Sequence, residues 1–211
     1  MRKLLTTLLQ VRLAVAVIAA LGIAFLIVGV LIGMPPFAYI VIGLLIAAPT
    51  LFYIYKPRES ALTNAKALTV FFGATVATLL IIQLIPFGKD HSNPPVNGEP
   101  AWSSPRTREL MVNACFGCHS NSVEYPAYAS VAPISWTVQS HINEGREKVN
   151  YQEWNSRQRN ADETIEVIKE GSMPPSYYTM FGKHPEAKLT DAEISELIDG
   201  LLATPGFSEG D

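Results

Sequence analysis

The chain has 211 residues, is 48 % hydrophobic and has a mean hydropathy of +0.19, high for a soluble protein. Its net charge of −3 conceals two opposed halves: residues 1–87 hold six basic residues against one acid, +5, and residues 88–211 hold ten against eighteen, −8. A single water-soluble globule is excluded, and the acidic half is not expected to have a nucleic-acid partner.

The apolar excess falls in three runs before residue 88. Leu13 to Met34 is 22 uncharged, mostly apolar residues, about 33 Å as a helix and enough to cross the hydrocarbon core. Phe37–Tyr55 and Ala67–Phe87 are the second and third, so residues 1–87 are expected to form a membrane anchor with transmembrane helices over about 13–34, 37–55 and 67–87. The joint Met34-Pro35-Pro36 predicts a tight antiparallel hairpin. The first run is too long for a cleaved signal peptide and has no small-residue cleavage site before Phe37, so it reads as a retained anchor.

Arg2, Lys3 and Arg12 precede the first span, three basic residues occupy the loop from Lys56 to Lys66, and the Met34–Pro36 turn is uncharged. Basic loops stay cytoplasmic. The expected arrangement is multi-pass in the inner (cytoplasmic) membrane, N-terminus cytoplasmic, with everything after Phe87 periplasmic. Thr69, Thr75, Thr78 and Gln83 are the main polar interruptions of the spans. An ion path would place charges there, so transport is not expected. Gly29 and Gly33 form a small-xxx-small pair that would either pack a neighbouring helix or face lipid.

Residues 88–104, rich in Pro, Asn, Ser and Gly, read as a linker, with His91 a solvated loop residue. Residues 105–211 are expected to be all-α. Ser104-Pro105 caps a helix running to about Cys118. Pro133 opens a second, with Ile134, Val138, His141 and Ile142 on one face. A short third covers about Asp162–Glu170 and ends at Gly171. Thr190-Asp-Ala-Glu193 is a capping box opening the last, whose apolar stripe is Ile194, Leu197, Ile198, Leu201 and Leu202, with Pro205-Gly206 as the stop.

The two cysteines are Cys115 and Cys118, and a disulfide between them would close almost no loop. Cys115-Phe-Gly-Cys118-His119 is a C-x-x-C-H motif. On a helix these three share a face, so both thiols can bond the vinyl groups of one porphyrin while His119 reaches its iron. A thioredoxin-like dithiol would want a βαβ context, and zinc would want more ligands. For the second axial ligand, Met173 in Gly171-Ser-Met-Pro-Pro175 leads, because the prolines stiffen its loop. His141, His184, Met111 and Met180 are the rivals. Tyr125, Tyr128, Trp136, Trp154, Tyr177 and Tyr178 are expected near the site, with Arg146 a candidate partner for a haem propionate.

The order helix, C-x-x-C-H, helices, Met-Pro, C-terminal helix resembles class I cytochrome c. More narrowly, Asn93-Pro-Pro-Val, Glu99-Pro-Ala-Trp, Cys115-Phe-Gly-Cys-His-Ser-Asn121, Ala132-Pro-Ile-Ser-Trp136, Gly171-Ser-Met-Pro-Pro175 and His184-Pro-Glu-Ala-Lys-Leu-Thr190 resemble the bacterial haem-binding domain family of membrane-anchored monohaem cytochromes. The resemblance spans about Ile85 to Leu202 and implies one covalent haem c on Cys115, Cys118 and His119, with Met173 distal. Glu124-Tyr-Pro-Ala-Tyr128 is less tryptophan-rich than that pattern. The expected role is single-electron transfer at the outer membrane face, as a subunit or partner of a respiratory or photosynthetic complex, with docking to a redox partner that has a basic face. The alternatives are a haem-based gas or redox sensor and a haem peroxidase, each of which needs an open iron.

Overall fold

The computed structural model describes residues 11–55, 63–158 and 160–207. Arg2, Lys3, Lys56 and Arg58, which carry much of the expected orientation, lie outside the described residues. The fold is all-helical, with no strand among the described residues. It divides into two compact units: one of residues up to Asp90 plus Tyr128–Thr137, the other of His91–Ala127 and Val138 onward.

The first unit holds three helices long and apolar enough to cross a membrane. These are α1 (Arg12–Leu31), α2 (Pro36–Tyr55) and α3 (Asn64–Ile81), the last continued by a 3-10 turn over Ile82–Leu84. Their bounds differ from the hydropathy runs for local reasons. α1 stops short of Met34 because Gly33 takes a positive φ of 63°. α3 begins earlier, where Thr63 accepts from the Lys66 amide at 3.3 Å. Arg12 and Lys66 therefore sit in first turns of helices whose later residues are uncharged.

Two clusters set the helix directions. At one end Val11, Ala14, Ile54 and Ala67 pack together, and Ala14 N donates to Asn64 Oδ1 at 2.9 Å. At the other, Met34, Ala38, Ile42 and Ile82 pack together. α1 and α3 thus run alike and α2 runs against them. Gly29 is buried because Tyr39 lies over it: a Cβ there would meet the Tyr39 ring carbon Cε1 at 2.7 Å. Gly29 therefore packs against a neighbouring helix, α2, as one of the two readings expected, while Gly33 makes the turn between the two helices.

Tyr128–Thr137 belongs to this unit. Trp136, fully buried, joins the second cluster with Ala132 and lies 5.3 Å from Phe37, centroid to centroid. The Gln83 amide clamps Ala132 on both sides, donating to its carbonyl at 2.9 Å and accepting from its N–H at 3.0 Å. Gln83, a polar interruption of its span, thereby satisfies a backbone pair.

The second unit is built from α4 (Pro105–Ala114), the single turn α5 (Phe116–His119), α6 (Ile134–Lys148, from Val138 on), α7 (Glu163–Lys169) and α8 (Asp191–Leu202). Both expected caps form: Ser104 Oγ accepts from Thr107 N at 3.0 Å, and Thr190 and Glu193 make a reciprocal capping box. α8 buries Leu197 and Leu201 beside α4 residues Leu110 and Met111, but Leu202 and Ile134 are exposed. The α4–α8 crossing is close because Gly200 faces the buried Thr107, whose Oγ1, Cγ2 and Cβ occupy the space a Cβ would need.

Residues 91–104 have no helix, yet they are held. His91 stacks on Tyr125 at 4.2 Å rather than standing in solvent. Asn93 bonds both backbone groups of Val123 and accepts from Arg146 Nη2 at 2.9 Å. Glu99 takes a two-pronged bond from Arg108 (2.7 and 2.8 Å) and further bonds from Gln152 and Trp102. Those donors, Arg108 first, hold the Glu99 carboxyl down at about 2 against burial, which opposes them. A depressed carboxylate contributes stability above its ordinary pKa and loses it as pH falls through the folded value. Glu99 should therefore contribute about 1–3 kcal/mol at neutral pH, lost between about pH 4.5 and 2. Denaturant titration of the full chain in detergent, read by tryptophan fluorescence at several pH values, checks this. Glu99→Gln should flatten the acid limb, and an unchanged limb in that variant would count against the assignment.

Candidate functional site

α4 does not continue to Cys118. It breaks at Cys115 (φ −121°, ψ −35°), and the chain restarts as α5. The N–H groups of Cys118 and His119 both return to the Cys115 carbonyl, at 3.2 and 3.0 Å. That closes one helical turn and keeps Cys115, Cys118 and His119 together despite the break.

All three line one cavity of about 390 Å³, within the range of small-molecule sites. Met173, in the loop after α7, lines it too, as do Tyr177 and Tyr178. The walls are largely apolar, from Ala114, Val149, Val167, Ile168, Pro174 and Pro175, with Glu144, Lys148, Asn160 and Glu163 as polar members.

Both cysteines are free thiols. Burial pushes the Cys115 thiol up to about 12 and the Cys118 thiol to about 11. The reactive thiolate a redox dithiol depends on is therefore disfavoured. The Cys115 thiol donates to Met111 Sδ at 3.8 Å, and Met111 is fully buried in the core.

His119 is held at both ends by the segment after α6. Its ring Nδ1 lies 3.0 Å from the Val149 carbonyl, and its own carbonyl accepts from Tyr151 N at 2.9 Å. A carbonyl only accepts, so Nδ1 must carry the proton and Nε2 keeps its lone pair. Burial lowers the His119 pKa, with the Val149 and Gly145 carbonyls opposing, and the ring is neutral at pH 7. The zipper continues as Asn121 N donates to Gln152 Oε1 and Asn150 Nδ2 to Asn121 Oδ1.

The Met173 loop hangs from one carbonyl. Val167 O accepts from Ser172 N (3.1 Å), Ser172 Oγ (3.1 Å) and Met173 N (3.3 Å). Gly171 makes the turn possible with a φ of +67°. Met173 itself is 40 % exposed.

A family described as a haem-binding domain matches residues 77–203, more than half of the chain. The chain belongs to the haem-binding domain family. No curated protein matches it, and neither does any solved structure. The cavity suits such a cofactor: two protonated thiols, one neutral imidazole with an unused nitrogen and one thioether face a mostly apolar space. Among the described residues no three His, Cys, Asp or Glu groups converge on a point that would hold a metal ion alone.

Of the rival ligand residues, only His141 lines this cavity, half-buried and stacked on Tyr177 at 4.9 Å. His184 stacks on Tyr178 at 4.1 Å and pairs with Glu186, Met111 is in the core, and Met180 starts a 3-10 turn. Of the six aromatic residues expected near the site, Tyr177 and Tyr178 line the cavity; Trp136 lies in the other unit, Trp154 packs on Phe207 at 5.0 Å, and neither Tyr125 nor Tyr128 lines the cavity. Arg146 donates to the Ser120 carbonyl and to Asn93 Oδ1, which braces the motif. Sequence reasoning missed Val149, Gly145, Tyr151 and Val167. Val149 and Val167 act through carbonyls, which every residue has. Gly145 left one signal, a glycine inside a helix, where it costs about 1 kcal/mol.

Proposed function

We propose that this chain is a membrane-anchored monohaem c-type cytochrome that passes single electrons at the outer face of the inner membrane. The observation that carries the reading is one cavity lined by both thiols of C-x-x-C-H, by His119 as the Nδ1–H tautomer and by the thioether of Met173. Cys115 and Cys118 would hold the haem by adding their S–H bonds across its two vinyl groups, sulfur to one carbon and hydrogen to the other. His119 through Nε2 and Met173 through Sδ would hold its iron. When bound, the haem supplies a one-electron iron couple, and His/Met ligation raises its potential.

The rest of the chain serves that couple. Val149 and Tyr151 keep His119 oriented, Val167 suspends the methionine loop, and the largely apolar walls would cover the faces of the haem. The three apolar helices support membrane attachment, and the basic N-terminal stretch supports a cytoplasmic N-terminus with the second unit periplasmic. The test is direct: the full chain, denatured and acetone-washed, should keep a peroxidase-positive haem stain on a gel, and a blank lane would remove the cytochrome reading.

The partner proposed is a membrane redox complex, or a soluble carrier, that presents a basic face. Glu144 and Glu163 line the cavity in a domain with an excess of acid. Long-range attraction of this kind is screened over about 8 Å at physiological salt. Haem reduction by a basic partner should slow severalfold between about 10 and 150 mM salt. A rate indifferent to salt, followed by stopped flow, would rule out electrostatic docking.

A further inference from the structure

We propose that Gly145 is a positioning residue for the iron's proximal imidazole and, through it, sets the reduction potential; this rests on the haem ligation proposed above. α6 approaches the cysteine motif more closely than any residue with a side chain would allow. A Cβ at Gly145 would lie 2.8 Å from the Cys118 carbonyl oxygen, 3.1 Å from its carbon and 3.1 Å from its Cβ. Those atoms belong to backbone and to a Cβ, so none can swing aside.

The close approach has a consequence at the histidine. Gly145 is in the last turn of α6, and its carbonyl accepts from Val149 N at 3.0 Å. That bond fixes the first residue beyond the helix, whose own carbonyl meets His119 Nδ1 at 3.0 Å. The carbonyl end of a helix carries partial negative charge. The contact at residue 145 therefore sets how firmly an electron-rich carbonyl grips the imidazole N–H. A stronger grip makes the ring a better donor and stabilises the ferric state. Any side chain at 145 lifts the helix end, loosens the grip and favours reduction.

The test uses the full chain loaded with haem in detergent. Gly145→Ala should keep covalent haem and move the midpoint potential upward by about a tenfold change in the reduction equilibrium, about 59 mV for one electron. Gly200→Ala, at the α4–α8 crossing against Thr107 and outside the cavity, serves as the control. It should lower thermal stability and leave the potential in place. Equal shifts in both variants, or none in a haem-loaded Gly145→Ala, overturn the inference while the cytochrome reading stands. Absence of covalent haem from the unaltered chain overturns the reading itself. If Gly145→Ala yields no holoprotein, the unaltered chain labelled with 15N-histidine decides. The His119 Nδ1 proton should exchange with water far more slowly in the folded chain than in the denatured chain, and equal rates overturn the inference.

Discussion

Replacement of both Cys115 and Cys118 by alanine is expected to reduce haem that survives denaturation to background. Each single replacement should leave one thioether and a reduced-haem absorption spectrum shifted toward that of a free vinyl group. Alanine is the right substitute, because serine would place a hydroxyl in the buried site of Cys115 beside Met111. Two partly buried sulfurs lost should cost about 1–3 kcal/mol in all, so the apo-chain should still fold by circular dichroism. A double variant that retains stainable haem would mean the thiols do something else.

Replacement of Met173 by alanine is expected to leave haem covalently attached while abolishing the far-red sulfur-to-iron absorption band. The potential should fall by more than a tenfold change in equilibrium, about 59 mV. Reduced protein should also begin to bind carbon monoxide within the mixing time, because the sixth position opens. The haem-free fold should hardly notice, since Met173 is 40 % exposed and surface truncations cost about 0.5 kcal/mol. Survival of the band would transfer the ligand role to another thioether, Met111 or Met180, because no histidine supplies a sulfur. Rapid carbon monoxide binding by the unaltered protein would instead favour a sensor or peroxidase.

Much of this molecule was legible in its residues because the signals are local. Hydropathy runs gave three apolar helices, displaced only where Thr63 and Gly33 decide a terminus. Ser104, Thr190 with Glu193, and Gly171 marked helix ends through bonds within a few residues of themselves. C-x-x-C-H and Gly-Ser-Met-Pro-Pro pointed at four side chains that line one cavity. What misled was proximity along the chain. Trp136 stands near the haem motif in sequence, yet it packs with Phe37 and Ile82, because an apolar ring is buried wherever apolar surface is found.

By itself, then, the order of residues determined the helix content, the contrast in charge and hydropathy between the two halves, and the chemistry available at one motif. It could do so because periodicity, capping and covalent spacing act over a few positions. Only the tertiary structure decided which carbonyls hold His119 and the methionine loop, that Gly145 must lack a side chain, and that Gln83 grips Ala132. Those depend on backbone groups common to every residue and on contacts between positions far apart in the chain, so no pattern of side chains announces them.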